Sequence, residues 1–67
     1  MYRQSVSSSR ILSVGWKNNT LQVEFENGAV YNYYNVSKSE YIHFMNSASL
    51  GHEISVIDKT HRYERVF

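Results

Sequence analysis

Two groups of side chains in this chain could do chemistry. Tyr31 and Tyr33, in the run Val30-Tyr31-Asn32-Tyr33-Tyr34, offer flat aromatic faces. A nucleobase stacks on such a face for about 1–3 kcal/mol per base. Gln22 or Asn32 could then read base edges. The second group is polar and cationic: Ser8, Ser9 and Arg10 follow Ser7 near the start, and Lys59, Arg62 and Arg65 fall near the end. Hydroxyls, backbone N–H groups and guanidinium groups are the donors that hold a phosphate, and Arg does so through a bidentate fork. A base site and a phosphate site together describe a nucleotide-type ligand. The competing readings are ordinary solvated charges for the cations, and a core or protein interface for the tyrosines.

Other chemistries find less support. His43, His52 and His61 are spaced nine residues apart, without the short spacings of a zinc site, so no metal is expected. With no Cys and no Gly-x-Ser-x-Gly turn, a nucleophile is not marked. Glu24 and Glu26 share a strand face, but a glycosidase pair needs a deep cleft. The reading is therefore non-catalytic, with no catalytic residues and no cofactor.

The chain has 67 residues and a formal net charge of +1. That length makes one domain with a small core. Proteins that grip long nucleic acid carry a strong basic excess; a small ligand with one to three phosphates needs only a few local cations. The absence of Cys fits a reducing cytoplasm, and neither a signal peptide nor a membrane-spanning run is expected. Help for the small core must then come from packing or from self-association, and a homo-oligomer is expected.

These groups must be positioned by short elements. Residues 1–9 read as an arm or a leading loop. Arg10 to Lys17 reads as a strand with Leu12, Val14 and Trp16 on one face and Ile11, Ser13 and Gly15 on the other. Trp16 is read as core, since Leu12 and Val14 share its face. Asn18-Asn19 signals a turn. Thr20 to Glu26 alternates cleanly, with Leu21, Val23 and Phe25 apolar. Asn27-Gly28 is a strong hairpin signal, and Ala29 to Tyr34 returns as a third strand. Ser37-Lys38-Ser39-Glu40 is a capping box that opens one helix, with Tyr41, Phe44, Met45 and Ala48 at spacings of three and four and Gly51 as its C-terminal cap. Ile54, Val56 and Ile57 form a short apolar stretch, and Arg62 to Phe67 reads as a closing strand. The fold class is α+β: a small antiparallel sheet of three to four strands with one helix packed on one face.

The turn at Asn27-Gly28 decides what the tyrosines do. A two-residue turn pairs Phe25 with Val30, Val23 with Asn32 and Leu21 with Tyr34, leaving Tyr31 and Tyr33 on the open face beside Glu24 and Gln22. A three-residue loop shifts the pairing by one and sends Tyr31 and Tyr33 into the core with Val23 and Leu21. Asn-Gly suits the two-residue type I′ turn, so the open platform is favoured here, although it buries Asn32 near Val23.

The pattern Ser7-Ser8, Val14-Gly15-Trp16, Leu21-x-Val23-x-Phe25, Asn27-Gly28, Tyr31-x-Tyr33, Val36, Tyr41, Ala48-Ser49-x-Gly51 and Ile57 resembles the KTSC domain family over nearly the whole chain. That family is named for its place at the C-terminus of some lysyl-tRNA synthetases and also occurs as small stand-alone proteins of bacteria and phages. The synthetase setting implies RNA binding by association. Ser37 stands where the family usually has Pro, and His52-Glu53-Ile54 replaces an aromatic and an Asn after Gly51.

The expected function is a non-catalytic nucleotide-binding module. In its first version it is a homo-oligomeric sponge that sequesters a small phosphorylated nucleotide signal, such as a cyclic oligonucleotide, as a phage protein would against a host defence. The alternative is an accessory domain for single-stranded RNA or tRNA, which requires an open aromatic sheet face. A protein–protein adaptor stays open as a third class. The expected ligand-binding residues are Ser8, Ser9, Arg10, Tyr31, Tyr33, Lys59, Arg62 and Arg65.

Overall fold

A computed structural model describes residues 1–67. The chain forms β1 (Gln4–Ser5), β2 (Ile11–Lys17), β3 (Thr20–Phe25), β4 (Val30–Tyr33), α1 (Lys38–Met45), α2 (Leu50–Thr60) and β5 (Tyr63–Arg65). The strands lie in one antiparallel meander in the order β1-β2-β3-β4-β5. The fold class is α+β, with five strands and two helices in place of the three to four strands and one helix expected.

The additional strand comes from the leading segment. Val6 N–H donates to Leu12 O at 3.1 Å. Arg3 donates from Nε to Ser13 Oγ at 3.0 Å and from Nη1 to Gln22 Oε1 at 2.6 Å. These bonds hold residues 4–5 as an edge strand rather than an arm.

A type I′-like turn does occur, but at Asn18-Asn19, where both residues have positive φ, 50° and 62°. Asn tolerates that conformation better than most residues. It pairs Lys17 with Thr20. At Asn27-Gly28 only Gly28 is left-handed, with φ 90°. Gly28 N–H donates to Phe25 O at 2.9 Å and Phe25 N–H donates to Ala29 O at 2.9 Å. This is the three-residue loop with a glycine bulge, and it pairs Leu21 with Tyr33, Gln22 with Asn32 and Val23 with Tyr31. The favoured two-residue register is therefore corrected. The reason is burial: the observed register places Tyr33, 1% exposed, in the core. It also leaves Asn32 on the open face, where its Oδ1 accepts from Gln22 Nε2 at 2.9 Å.

A second shift occurs in β2, where the pairing slips between Ile11 and Ser13. Leu12 is displaced outward, 46% exposed, and Ile11 takes the core position with Val14. Bulges of this kind re-aim side chains within a strand. Trp16 lies half-buried against that core, stacked on Tyr41 at 5.8 Å, and its Nε1 donates to Val36 O at 2.8 Å.

The single helix expected from Ser37 to Gly51 is two. The capping box is present: Ser37 Oγ accepts from Glu40 N–H at 3.1 Å, and Glu40 Oε1 accepts from Ser37 N–H at 3.3 Å. α1 stops at Asn46, where Asn46 Nδ2 and Ser47 Oγ bond back to Ile42 O and Phe44 O. Such side chains compete with the helical ladder. Ser49 then caps α2, accepting from His52 N–H at 3.2 Å. Gly51 sits in the first turn of α2 rather than ending a helix. Arg10 packs across it, so a Cβ there would lie 3.1 Å from Arg10 Cδ. Ile54 and Ile57, read as a short apolar stretch, are the buried stripe of α2. They close with Phe44 and Val36 over Leu21, Val23 and Tyr33. No helix is long and apolar enough to cross a membrane.

Candidate functional site

The corrected register moves the tyrosines from an open platform to the wall of a cleft. Tyr31 and Tyr33 lie on the helix-covered face, and β5 adds Tyr63, paired with Tyr33. The three rings stand 5.6–6.3 Å apart, centroid to centroid, and Phe25 meets Tyr31 edge-on at 5.5 Å. Such spacings are those of packed aromatic pairs. Tyr33 is the buried member, while Tyr63 is half-exposed.

The cleft beside these rings has a volume of about 360 Å³ and is lined by Arg10, Tyr31, Tyr63, Asp58, Glu26 and Arg65, among others. Small-ligand pockets run from about 300 to 1,000 Å³. At its wall Tyr33 OH donates to Asp58 Oδ1 at 2.7 Å. Burial, reinforced by this bond and by the carboxylate charge, pushes the Tyr33 phenol well above its ordinary value. The ring therefore stays neutral and serves as a fixed donor.

Arg10 joins this cleft to a second hollow. The chain Ser7-Ser8-Ser9-Arg10 runs against the start of α2, and the two enclose a groove of about 650 Å³ that includes Ser49, His52 and Ser55. Arg10 Nη1 donates to Gly51 O at 2.9 Å and to Ser55 Oγ at 3.2 Å. Ser8 Oγ accepts from the N–H groups of Arg10 and Ile11, at 3.2 and 3.4 Å, and so shapes the loop.

No lysine or arginine pairs with an Asp or Glu side chain. Both ion pairs of the chain use histidine: His61 with Glu40 at 2.8 Å, and His43 with Glu53 at 4.0 Å. No lysine or arginine lies within 4.0 Å of a side-chain carboxylate. Arg10 bonds only neutral oxygens, and Arg65 Nε donates to the main-chain oxygen of Phe67 at 2.9 Å. Arg10 thus stands at an aromatic cleft without a counter-charge bound to it, in a lining that also holds Arg65 and the carboxylates of Glu26 and Asp58.

Of the eight residues picked from sequence, Arg10, Tyr31, Tyr33 and Arg65 come together in the cleft, and Ser8 and Ser9 line the adjoining groove. Arg62 lies elsewhere, in a hollow with Tyr34, Asn35 and Glu64. Lys59 lines neither hollow, being on α2. Sequence reading missed Asp58, Glu26 and Tyr63. Tyr63 was legible as the residue alternating onto the Arg65 face. Asp58 follows Ile54 by four residues, a helical spacing that points it to the sheet once α2 is recognised as a helix. The open sheet face carries Ser13, Gln22, Glu24 and Asn32, joined by bonds from Ser13 Oγ to Glu24 and from Gln22 to Asn32. The aromatic platform expected there is absent.

A profile of the KTSC domain family matches residues 7–52. The chain is also similar to the crystal structure of a KTSC domain protein from Yersinia pestis, at 33% identity and a TM-score of 0.92, with 98% of this chain and 97% of that one covered. Comparison with curated proteins produced no match. The chain belongs to the KTSC domain family.

Proposed function

We propose that this KTSC domain is a non-catalytic binding module for a small phosphorylated nucleotide, with the base in the tyrosine cleft and phosphate at Arg10 and Arg65. The observation that carries this reading is that Arg10, bonded only to neutral oxygens, and Arg65 share one cleft with exposed aromatic surface. A charged group held near a partly desolvated surface without a counter-ion favours an anionic ligand. Arg10 also borders the serine-lined groove, so a ligand with a second nucleotide could run from one hollow to the other. A cyclic oligonucleotide signal has that shape. Sequestration of such a signal needs no catalytic group.

A sponge of this kind would work as a homo-oligomer, which would deepen open hollows on a small domain. Two features support assembly. β5 is an edge strand, and edge strands template pairing with another chain. Along and just beyond it Tyr63, Val66 and Phe67 are 50%, 44% and 79% exposed.

The test is native mass spectrometry of the protein as purified and after mixing with cyclic dinucleotides, cyclic trinucleotides and short RNAs. An oligomer retaining a discrete nucleotide mass supports the proposal. A monomer that takes up only RNA moves the assignment to an RNA accessory domain. An oligomer that binds nothing moves it to a protein adaptor.

A further inference from the structure

The nucleotide cleft contains an acceptor that no protein group uses. Asp58 spends Oδ1 on the Tyr33 hydroxyl at 2.7 Å, and its Oδ2 makes no hydrogen bond within the chain. Asp58 is neither deeply buried nor fully exposed, and it lines the cleft beside Tyr31, Tyr33 and Tyr63. No cation satisfies it, since neither Arg10 nor Arg65 lies within 4.0 Å of Asp58. An ionised carboxylate accepts only, at two oxygens. The Tyr33 hydroxyl cannot turn its proton toward a ligand without giving up Asp58. Asp58 therefore brings to the cleft the acceptor Oδ2 and a remaining lone pair on Oδ1, beside aromatic rings.

The four bases answer that carboxylate differently. Adenine offers one amino donor beside the N1 lone pair. Cytosine offers one amino donor beside the N3 lone pair. Uracil has a single N3–H between two carbonyls. Guanine alone presents two donors side by side, N1–H and the N2 amino group. A carboxylate takes both, in the bidentate arrangement it uses with other paired donors. For adenine and cytosine the same carboxylate would face a ring-nitrogen lone pair, which leaves buried polar groups unpaired. A guanidinium side chain from a peptide also carries paired donors, but it leaves Arg10 and Arg65 at the same cleft without an anionic partner, which a ligand bringing phosphate supplies.

We propose that the base this cleft selects is guanine, held at N1–H and N2–H by Asp58, with its ring against Tyr31 and Tyr63 and its phosphate toward Arg10 and Arg65. This rests on the nucleotide reading above. Asp58 is the specificity-determining residue, and the tyrosines supply stacking that tolerates any base.

Calorimetric titration of the full chain tests it with two ligand series: the 5′-monophosphates of guanosine, inosine, adenosine and xanthosine, and cyclic di-GMP against cyclic di-AMP. Inosine keeps N1–H and lacks the amino group, so it should bind about tenfold more weakly than guanosine, as for one lost charge-assisted bond. Adenosine should be weaker again, and cyclic di-GMP should exceed cyclic di-AMP. In Asp58→Asn an amide N–H₂ replaces one acceptor oxygen while the other still accepts from Tyr33. That variant should reverse the order of guanosine and xanthosine, because xanthine carries a carbonyl where guanine carries the amino group. A thermal melt checks its fold, and the guanosine–inosine comparison needs no variant. Equal affinity for guanine and adenine ligands in the wild type overturns guanine selection and leaves nucleotide binding standing. Failure of every nucleotide to bind overturns both.

Discussion

Replacing Tyr33 with Phe tests how the cleft wall is built. The ring of Tyr33 is 1% exposed and its hydroxyl donates to Asp58 Oδ1 at 2.7 Å. Tyr33→Phe keeps the ring volume, so no cavity opens and the loss is the hydrogen bond alone. A bond to a charged acceptor contributes about 1.5–3 kcal/mol. Asp58 borders an open cleft, so water replaces part of the loss, and the lower figure of about 1.5 kcal/mol applies. At about 4–8 °C per kcal/mol for a domain of this size, Tm should fall by about 6–12 °C.

The pH dependence gives a second and independent reading. Burial first, and then the bond and charge of Asp58, raise Tyr33 above its ordinary 10.0. Above that pH the unfolded chain loses the proton while the folded chain keeps it. The folded state then binds more protons, and stability falls as pH rises. The contribution is full below pH 10.0 and declines above it by about 1.4 kcal/mol per pH unit. Tyr33→Phe lacks this group, so its alkaline decline should be shallower. A smaller decline remains from Tyr34, raised mainly by its bond to Glu64. Calorimetric melts of both proteins from about pH 7 to about pH 11 check it. A neutral-pH Tm within about 2 °C of wild type, together with an identical alkaline decline, would refute the reasoning.

Three further outcomes are expected. Arg10→Ala and Arg65→Ala should each weaken nucleotide binding by about 1.5–3 kcal/mol, as for a lost charge-assisted bond; titration calorimetry that finds both unchanged removes these residues from the site. Gly15→Ala should loosen β1, because its Cβ would collide with Tyr2 O; about 1–3 kcal/mol of overpacking strain is expected in urea unfolding, with faster amide exchange at residues 4–5. Ser37→Ala removes the acceptor for Glu40 N–H and should destabilise by about 1 kcal/mol; a Tm equal to wild type would show that the capping box carries no net stability.

Much of the fold was legible where the signal was local. Leu21, Val23 and Phe25 alternate with polar residues, and that period alone marks β3 and the side it buries. The capping box at Ser37 and Glu40 marks the start of α1. The helix break at Asn46 was harder to read, because Tyr41, Phe44, Met45 and Ala48 keep a helical spacing across it. Side-chain bonds from Asn46 and Ser47 to the preceding carbonyls end α1 there, and the groove between Ser8, Ser9, Arg10 and α2 exists only because α2 begins afresh at Ser49.

The amino-acid order thus specified the residue types of the site, the alternating strands, the capping box and the family pattern, since each depends on neighbours a few positions apart. The Asn27-Gly28 register was a tertiary decision. Turn preference favoured a two-residue turn there, but burying a large apolar side chain is worth about 1.5–3 kcal/mol, and the longer loop buries Tyr33 while freeing Asn32 to meet Gln22. That one-residue shift turns the tyrosines from the open face to the cleft. Only packing of α2 on the sheet then sets Asp58 against Tyr33, and only the fold brings Arg10 to Arg65, since residues 55 positions apart share no local signal.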